Sequence, residues 1–262
     1  EAGSGHFIKK IDADGVILDT RAEGSDALQQ AADNAKPGVI LYSEGMATPK
    51  DMQGIIAGRV HNDIYYPPLL NLNKLIKPDF AIFRVAEVNK ERIRREYSLA
   101  LFNGHGVEIN VMRPGRQEGI DDDYKYWGKC VRILKENSAN FNSYEWTPLI
   151  PTIKDKVYVN KWKGKQKIIY TVFSLLPEGY NNALIGAEYE RGYHFIDLWN
   201  HQDIQLRRID LMNYVEVELE PFNKKYLGTN NEGAVSVIAH LPILLSVKTE
   251  GDKISINANE GR

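Results

Sequence analysis

Two short apolar runs, Gly15-Val16-Ile17-Leu18 and Val39-Ile40-Leu41-Tyr42-Ser43, each close on an acid, Asp19 and Glu44, and a helix-forming segment separates them. Runs of this length without polar alternation predict strands buried on both faces, as in parallel sheets. Parallel neighbours need a crossover, and the 25-residue offset between Asp19 and Glu44 accommodates one strand–helix unit. Between them, Ser25 to Ala35 places Leu28, Ala31, Ala32 and Ala35 on one helical face, and Lys36-Pro37-Gly38 stops the helix. The alternation continues. Strands are expected at His61–Tyr65, Phe80–Val85 and Gly106–Met112. A helix is expected to start at Thr48-Pro49-Lys50-Asp51 and to bury Met52, Ile55 and Ile56, because Thr caps, Pro fits the first helical position and an acid suits the first turn. Two further helices, Asn89–Phe102 and Asp123–Asn137, carry stripes of Ile93, Tyr97, Ala100 and Leu101, and of Trp127, Cys130, Val131 and Leu134. This order predicts βαβ units and a parallel sheet.

The pattern changes near Trp146-Thr147-Pro148-Leu149-Ile150-Pro151. Short β-rich runs follow at Val157–Val159, Lys167–Phe173, Tyr193–Trp199, Val215–Leu219, Ala234–His240, Ile243–Val247 and Ile254–Ile256, divided by turn residues such as Pro177-Glu178-Gly179 and Glu250-Gly251-Asp252. About 100 residues of this kind read as an antiparallel β-sandwich. The expected organisation is residues 1–145 as an α/β unit and residues 146–262 as an all-β unit.

A formal net charge of −2 offers no electrostatic footprint for nucleic acid, and Arg92, Arg94 and Arg95 read as a solvated helix face among acids. Cys130 is the one cysteine, which excludes an intrachain disulfide and a thiolate metal site, and its place in an apolar stripe points to core packing. There is no apolar run long enough to span a bilayer.

Acids at the ends of adjacent parallel strands are where barrel enzymes build their sites. Two carboxylates in one cleft suit glycoside hydrolysis, with one attacking the anomeric carbon or activating water and the other donating a proton to the leaving oxygen. Asp19 is the candidate nucleophile and Glu44 the candidate acid/base. The bland alternative is that the two acids cap helices or meet solvent. His61, Arg84, Glu108, Asn110 and Arg113 fall near later strand ends and are candidate partners for sugar hydroxyls. Tyr42 and Tyr66 are candidate stacking rings, although packing in the barrel core is the stronger explanation for both.

At these residues the chain resembles a known superfamily. Asp12-Ala13-Asp14-Gly15-Val16-Ile17-Leu18-Asp19 resembles the nucleophile strand of many barrel glycosidases, and Val39-Ile40-Leu41-Tyr42-Ser43-Glu44-Gly45 resembles the strand that bears their acid/base. Counting back from Gly106–Met112 as the last barrel strand makes these the fourth and fifth. The resemblance is to the broad α-amylase and α-galactosidase-like superfamily, in an uncharacterised bacterial branch. It implies the C-terminal part of a (β/α)8 barrel followed by a β-sandwich, and a retaining mechanism on an α-linked oligo- or polysaccharide. Two departures separate the chain from ordinary α-amylases. Ile17 stands where they carry an arginine, and Ile82-Phe83-Arg84-Val85 stands where they carry Asn-His-Asp.

The same count leaves three barrel strands outside the chain. The expectation is therefore a fragment that pairs with a missing N-terminal barrel half or with a copy of itself, with no cofactor, metal, nucleic acid or membrane as partner and a periplasmic or secreted location. The alternative is a noncatalytic carbohydrate-binding or scaffold fragment. A phosphate-using lyase on a similar barrel is disfavoured because no glycine-rich phosphate loop is present.

Overall fold

A computed structural model describes residues 2–19, 24–44, 52–60, 70, 73–87, 94–110, 120–187, 190–222 and 234–258. Helix α1 (Ala2–Ile11) precedes strand β1 (Gly15–Leu18), helix α2 (Asp26–Ala35) and strand β2 (Ile40–Ser43). Strand β3 (Ala57–Val60), helix α3 (Asn73–Ile76), strand β4 (Ala81–Glu87), helix α4 (Arg94–Phe102) and strand β5 (Gly106–Asn110) follow. The five strands form one parallel sheet in chain order.

Local chemistry explains several of these boundaries. Ser25 is extended, and its Oγ accepts the Leu28 N–H at 3.1 Å, which caps α2. Gly38 adopts φ of +84° just past that helix. The described part of the stretch between β2 and β4 departs from the helix and strand expected there. The third strand is Ala57–Val60, whereas His61–Tyr65 lies outside the described residues. Met52–Gly54 forms a turn instead of a helix, and Ile56 is 46% exposed while Met52 and Ile55 are buried. The expected helix start at 48–51 is also outside the described residues. Spacing of i, i+3 and i+4 marks a helical face, but here it comes from a turn that drops Met52 and Ile55 into the core. Arg95 is 7% exposed, so it is not on a solvated face.

One face of the sheet is well covered. Leu41 and Ile82 pack with Ile8, Ala32, Met52, Ile55 and Phe80 against α1 and α2. The opposite face of β1 and β2 is open among the described residues, with Ile17 62% and Ile40 46% exposed. The expectation that these runs are buried on both faces therefore holds for one face only.

Helix α5 (Ile120–Glu136) and the short α6 (Ser138–Phe141) lead into the antiparallel half. Asp121, Asp122 and Asp123 sit in the first turn of α5, where its dipole favours them. Trp127, Cys130 and Ile133 are buried on its core face. Burial also pushes the Cys130 thiol well above its ordinary range, as befits an inert core residue.

Eleven strands follow among the described residues: β6 (Trp146–Thr147), β7 (Val157–Lys163), β8 (Ile168–Ser174), β9 (Tyr180–Gly186), β10 (Tyr193–Asp197), β11 (Gln202–Ile204), β12 (Leu206–Ile209), β13 (Met212–Leu219), β14 (Ala234–Pro242) and the pair β15 (Leu245–Glu250) and β16 (Lys253–Ala258). A six-stranded sheet runs β11-β10-β14-β8-β7-β6 and a three-stranded sheet β12-β13-β9. Val159, Val172, Phe195, Val215 and Val217 pack in one apolar cluster between them. On its other face the six-stranded sheet buries Trp162, Ile169, Val235 and Val237 against Tyr97, Leu101 and Trp127 of the helical layer. Strand β14 is thus covered on both faces, and residues 234–240 are all buried.

Polar groups fix the junction between the two halves. The Phe102 carbonyl at the end of α4 accepts from Asn160 Nδ2 at 2.9 Å and Thr171 Oγ1 at 2.7 Å. Trp162 Nε1 donates to Thr171 Oγ1 at 3.0 Å, and the Trp162 ring stacks on Trp146 at 4.8 Å. Gly104, at φ +67°, lets the chain turn beneath this stack, where a Cβ would lie 2.9 Å from Phe141 Cδ1. Gly104→Ala is expected to cost on the order of 1–3 kcal/mol, read as a lower urea midpoint.

His105 is fully buried at the entry to β5, and neither ring nitrogen has a partner among the described residues. Burial, with a smaller contribution from the Lys74 charge, pushes its pKa down to about 3 from 6.5. The unfolded chain therefore binds one more proton between those values. The stability from this site is complete above pH 6.5 and falls by up to about 1.4 kcal/mol per unit as pH drops toward 3. His105→Leu is expected to flatten the dependence of unfolding free energy on pH across that window.

Candidate active site

Asp19 and Glu44 directly follow β1 and β2. Leu18 and Ser43 pair in register, and the Glu44 N–H donates to the Leu18 carbonyl at 3.1 Å. The two acids therefore occupy equivalent positions at the same end of neighbouring strands. Asp19 is exposed and Glu44 half-buried.

Glu44 belongs to a cluster that spans the sheet. Tyr42 and Glu44 are two residues apart and share the less covered face of β2. Arg59 on β3 reaches both ways, with Nη1 3.2 Å from Glu44 Oε1 and Nη2 3.1 Å from Glu108 Oε1 on β5. The Tyr42 hydroxyl donates to Glu108 Oε2 at 3.3 Å. Gly106 makes this convergence possible, because a Cβ there would meet Phe83 Cδ1 at 2.7 Å. Phe83 in turn meets the Tyr42 ring edge-on at 5.9 Å.

One guanidinium thus serves two carboxylates, and all three groups are partly shielded from solvent. Tyr42 is pushed up to about 12, first by burial and next by the Glu108 charge, with Arg59 opposing. It is therefore a neutral donor at physiological pH and no phenolate nucleophile. Ion-paired carboxylates beside a neutral hydroxyl can orient sugar hydroxyls and supply a carboxylate to a reacting carbon.

Of the residues expected from sequence, Tyr42, Glu44 and Glu108 come together, and Asp19 stands at the neighbouring strand end. Arg84 does not join them. It is 7% exposed and its Nε pairs with Glu96 of α4, on the helix-facing side of the sheet. Strand alternation decides this, since Phe83 takes the cleft face and Arg84 the other. His61, Arg113 and the side chain of Asn110 lie outside the described residues, as does Tyr66. Arg59 was missed because the strand was read as starting at His61, four residues after its observed start at Ala57. The run Ile55-Ile56-Ala57-Gly58-Arg59-Val60, which continues the strand–helix spacing, was the available signal. Among the described residues no group of three or more His, Cys, Asp or Glu is placed to hold a metal ion, and no helix is long and apolar enough to cross a membrane.

No family model and no curated protein matches the sequence. Solved structures do resemble the fold. An Anoxybacillus α-amylase is 12% identical with a TM-score of 0.55, over 92% of this chain and 61% of that one. An α-amylase from Geobacillus thermoleovorans complexed with acarbose is 14% identical with a TM-score of 0.53, over 90% and 62%. An α-galactosidase from Geobacillus stearothermophilus is 7% identical with a TM-score of 0.50, over 83% and 30%. The chain therefore has the fold of the amylase- and α-galactosidase-type glycoside hydrolases, and it spans about three-fifths of the length of those amylases.

Arg59→Met would leave Glu44 and Glu108 facing each other without their shared cation. The expected loss is about 1–2 kcal/mol at pH 7, discounted for partial exposure. Urea denaturation of both proteins at that pH checks this.

Proposed function

On a fold shared with amylases and α-galactosidases, we propose that this chain is a glycoside hydrolase domain that cleaves an α-linked oligo- or polysaccharide with retention, through Asp19 and Glu44. The observation that carries the reading is the registered pair of acids at the ends of β1 and β2, beside the Arg59–Glu108–Tyr42 cluster. In this reading β1 to β5 are the last five strands of a (β/α)8 barrel, residues 1–145 form the catalytic part, and residues 146–262 form a β-sandwich. The exposure of Ile17 and Ile40 on the uncovered face supports a barrel whose remaining strands are supplied from elsewhere. The fold likeness supports the α-linked substrate, since one neighbour is an α-amylase complexed with acarbose.

The Asp19 carboxylate attacks the anomeric carbon while Glu44 gives its proton to the leaving oxygen. Glu44 then takes a proton from water, which attacks the glycosyl–Asp19 ester and releases the sugar with its configuration retained. Arg59 has a second anchor in Glu108, so it stays ion-paired when Glu44 carries its proton. Tyr42 and Glu108 bind hydroxyls of the ring.

Asp19→Asn and Glu44→Gln are each expected to lower hydrolysis of aryl α-glucosides or α-galactosides by about 100-fold or more, without a fall in melting temperature. Unchanged turnover in either variant would remove that residue from the pair. In a crystal with a bound inhibitor, carboxyl groups about 5–5.5 Å apart support retention, and a separation of about 6.5–9.5 Å overturns it in favour of inversion.

A further inference from the structure

Strands β15 and β16 stand apart from the rest of the antiparallel half. Among the described residues they pair only with each other and join neither the six-stranded nor the three-stranded sheet. They leave the body just after β14, where the Ile243 N–H donates to the Gly192 carbonyl at 2.8 Å. The turn Gly251-Asp252 closes the hairpin, and Gly251 at φ +59° supplies the positive φ that so short a turn needs. The turn fixes the register, and with it the face that each side chain takes.

Pairing sets Leu245 opposite Ala258, Val247 opposite Ile256 and Thr249 opposite Ile254, so these six residues share one face. The other face takes Ser246, Lys248, Glu250, Lys253, Ser255 and Asn257. The hairpin is therefore amphipathic, yet its apolar face is bare. Leu245, Val247, Ile254 and Ile256 are each 60–67% exposed. A two-stranded hairpin is marginal in water and gains stability when an apolar face packs on another surface.

The chemistry of the face narrows what covers it. It has no aromatic ring on which a sugar could stack. Lys248 and Lys253 are balanced by Glu250 and Asp252, so the hairpin has no net positive charge to hold an anionic lipid surface. An uncharged aliphatic patch is its own complement, because rotation about a two-fold axis sets it against itself with no charge buried. At roughly 80–100 Å² for each covered residue, two copies would hide on the order of 1,000 Å² in all, the lower limit for a specific interface. We propose that this face of the hairpin binds the same face of a second copy of the chain, forming a weak, reversible two-fold dimer. The dimer does not rest on the hydrolase reading, because no residue of the hairpin belongs to the carboxylate cluster.

Sedimentation velocity on the whole chain is expected to show a monomer–dimer equilibrium with a Kd on the order of 10–100 μM. Ile256→Lys is expected to weaken it at least about tenfold without lowering the melting temperature. A cross-link keeps the test decisive if that variant loosens the hairpin. Val247→Cys, at the centre of the face, is expected to give a covalent dimer with a bismaleimide about 10 Å long, the spacing of packed sheets, whereas Lys248→Cys on the opposite face is not. Cys130 is fully buried, so only the new thiol reacts. The proposal is overturned if the chain stays monomeric well above that concentration range, or if the two cysteine variants cross-link alike. It is also overturned if Ile17→Lys, on the uncovered face of the parallel sheet, dissociates the dimer while Ile256→Lys leaves it intact.

Discussion

The carbonyl of Phe102 is the point on which the two halves of this structure meet. It ends α4, where helix geometry leaves carbonyls without intrahelical partners, and two side chains of the antiparallel half satisfy it. Asn160 is fully buried and also accepts the Leu149 N–H through its other amide atom. Thr171 passes the connection on to Trp162, which lies between Trp146 and Phe141. Buried polar groups tolerate little displacement because an unmade hydrogen bond costs far more than a made one contributes. This small network therefore sets where the six-stranded sheet sits on the helical layer. The apolar cluster from Tyr97 to Val237 then fills the space so defined.

The parallel sheet shows the opposite situation. Its helix-facing side is packed, whereas the other side carries exposed Ile17 and Ile40 at one end and an ion-paired cluster toward the strand ends. Arg59 keeps two carboxylates close together that would otherwise repel. From β3, next to β2 and two strands from β5, one long side chain reaches both.

Much of the local structure was legible in the sequence. Ser25 and Gly38 bracket α2 because capping and positive-φ preferences act within a few residues. The stripe of Trp127 and Cys130 marked α5 because one helical face meets one core. Strand β9 escaped notice because Asn181 and Asn182 interrupt its apolar pattern at the exposed end, and β11 and β12 because they are short and polar. Within the candidate site, Glu44 and Glu108 were legible from their positions near strand ends, and Tyr42 as a candidate stacking ring. Arg59 was not, because an arginine two residues before the expected strand carries no signal of its own.

The sequence by itself determined the order of elements, the change from parallel to antiparallel structure near Trp146, and the acids that end the first two strands. These follow from propensity, periodicity and turn chemistry, which act over short stretches of chain. Tertiary structure decided which side chains meet. It turned Arg84 toward Glu96 and Arg59 toward Glu44 and Glu108, although both arginines lie on neighbouring strands of one sheet. The reason is that strand register and the alternation of faces are set by pairing across the sheet, and a shift of one residue exchanges the cleft for the core.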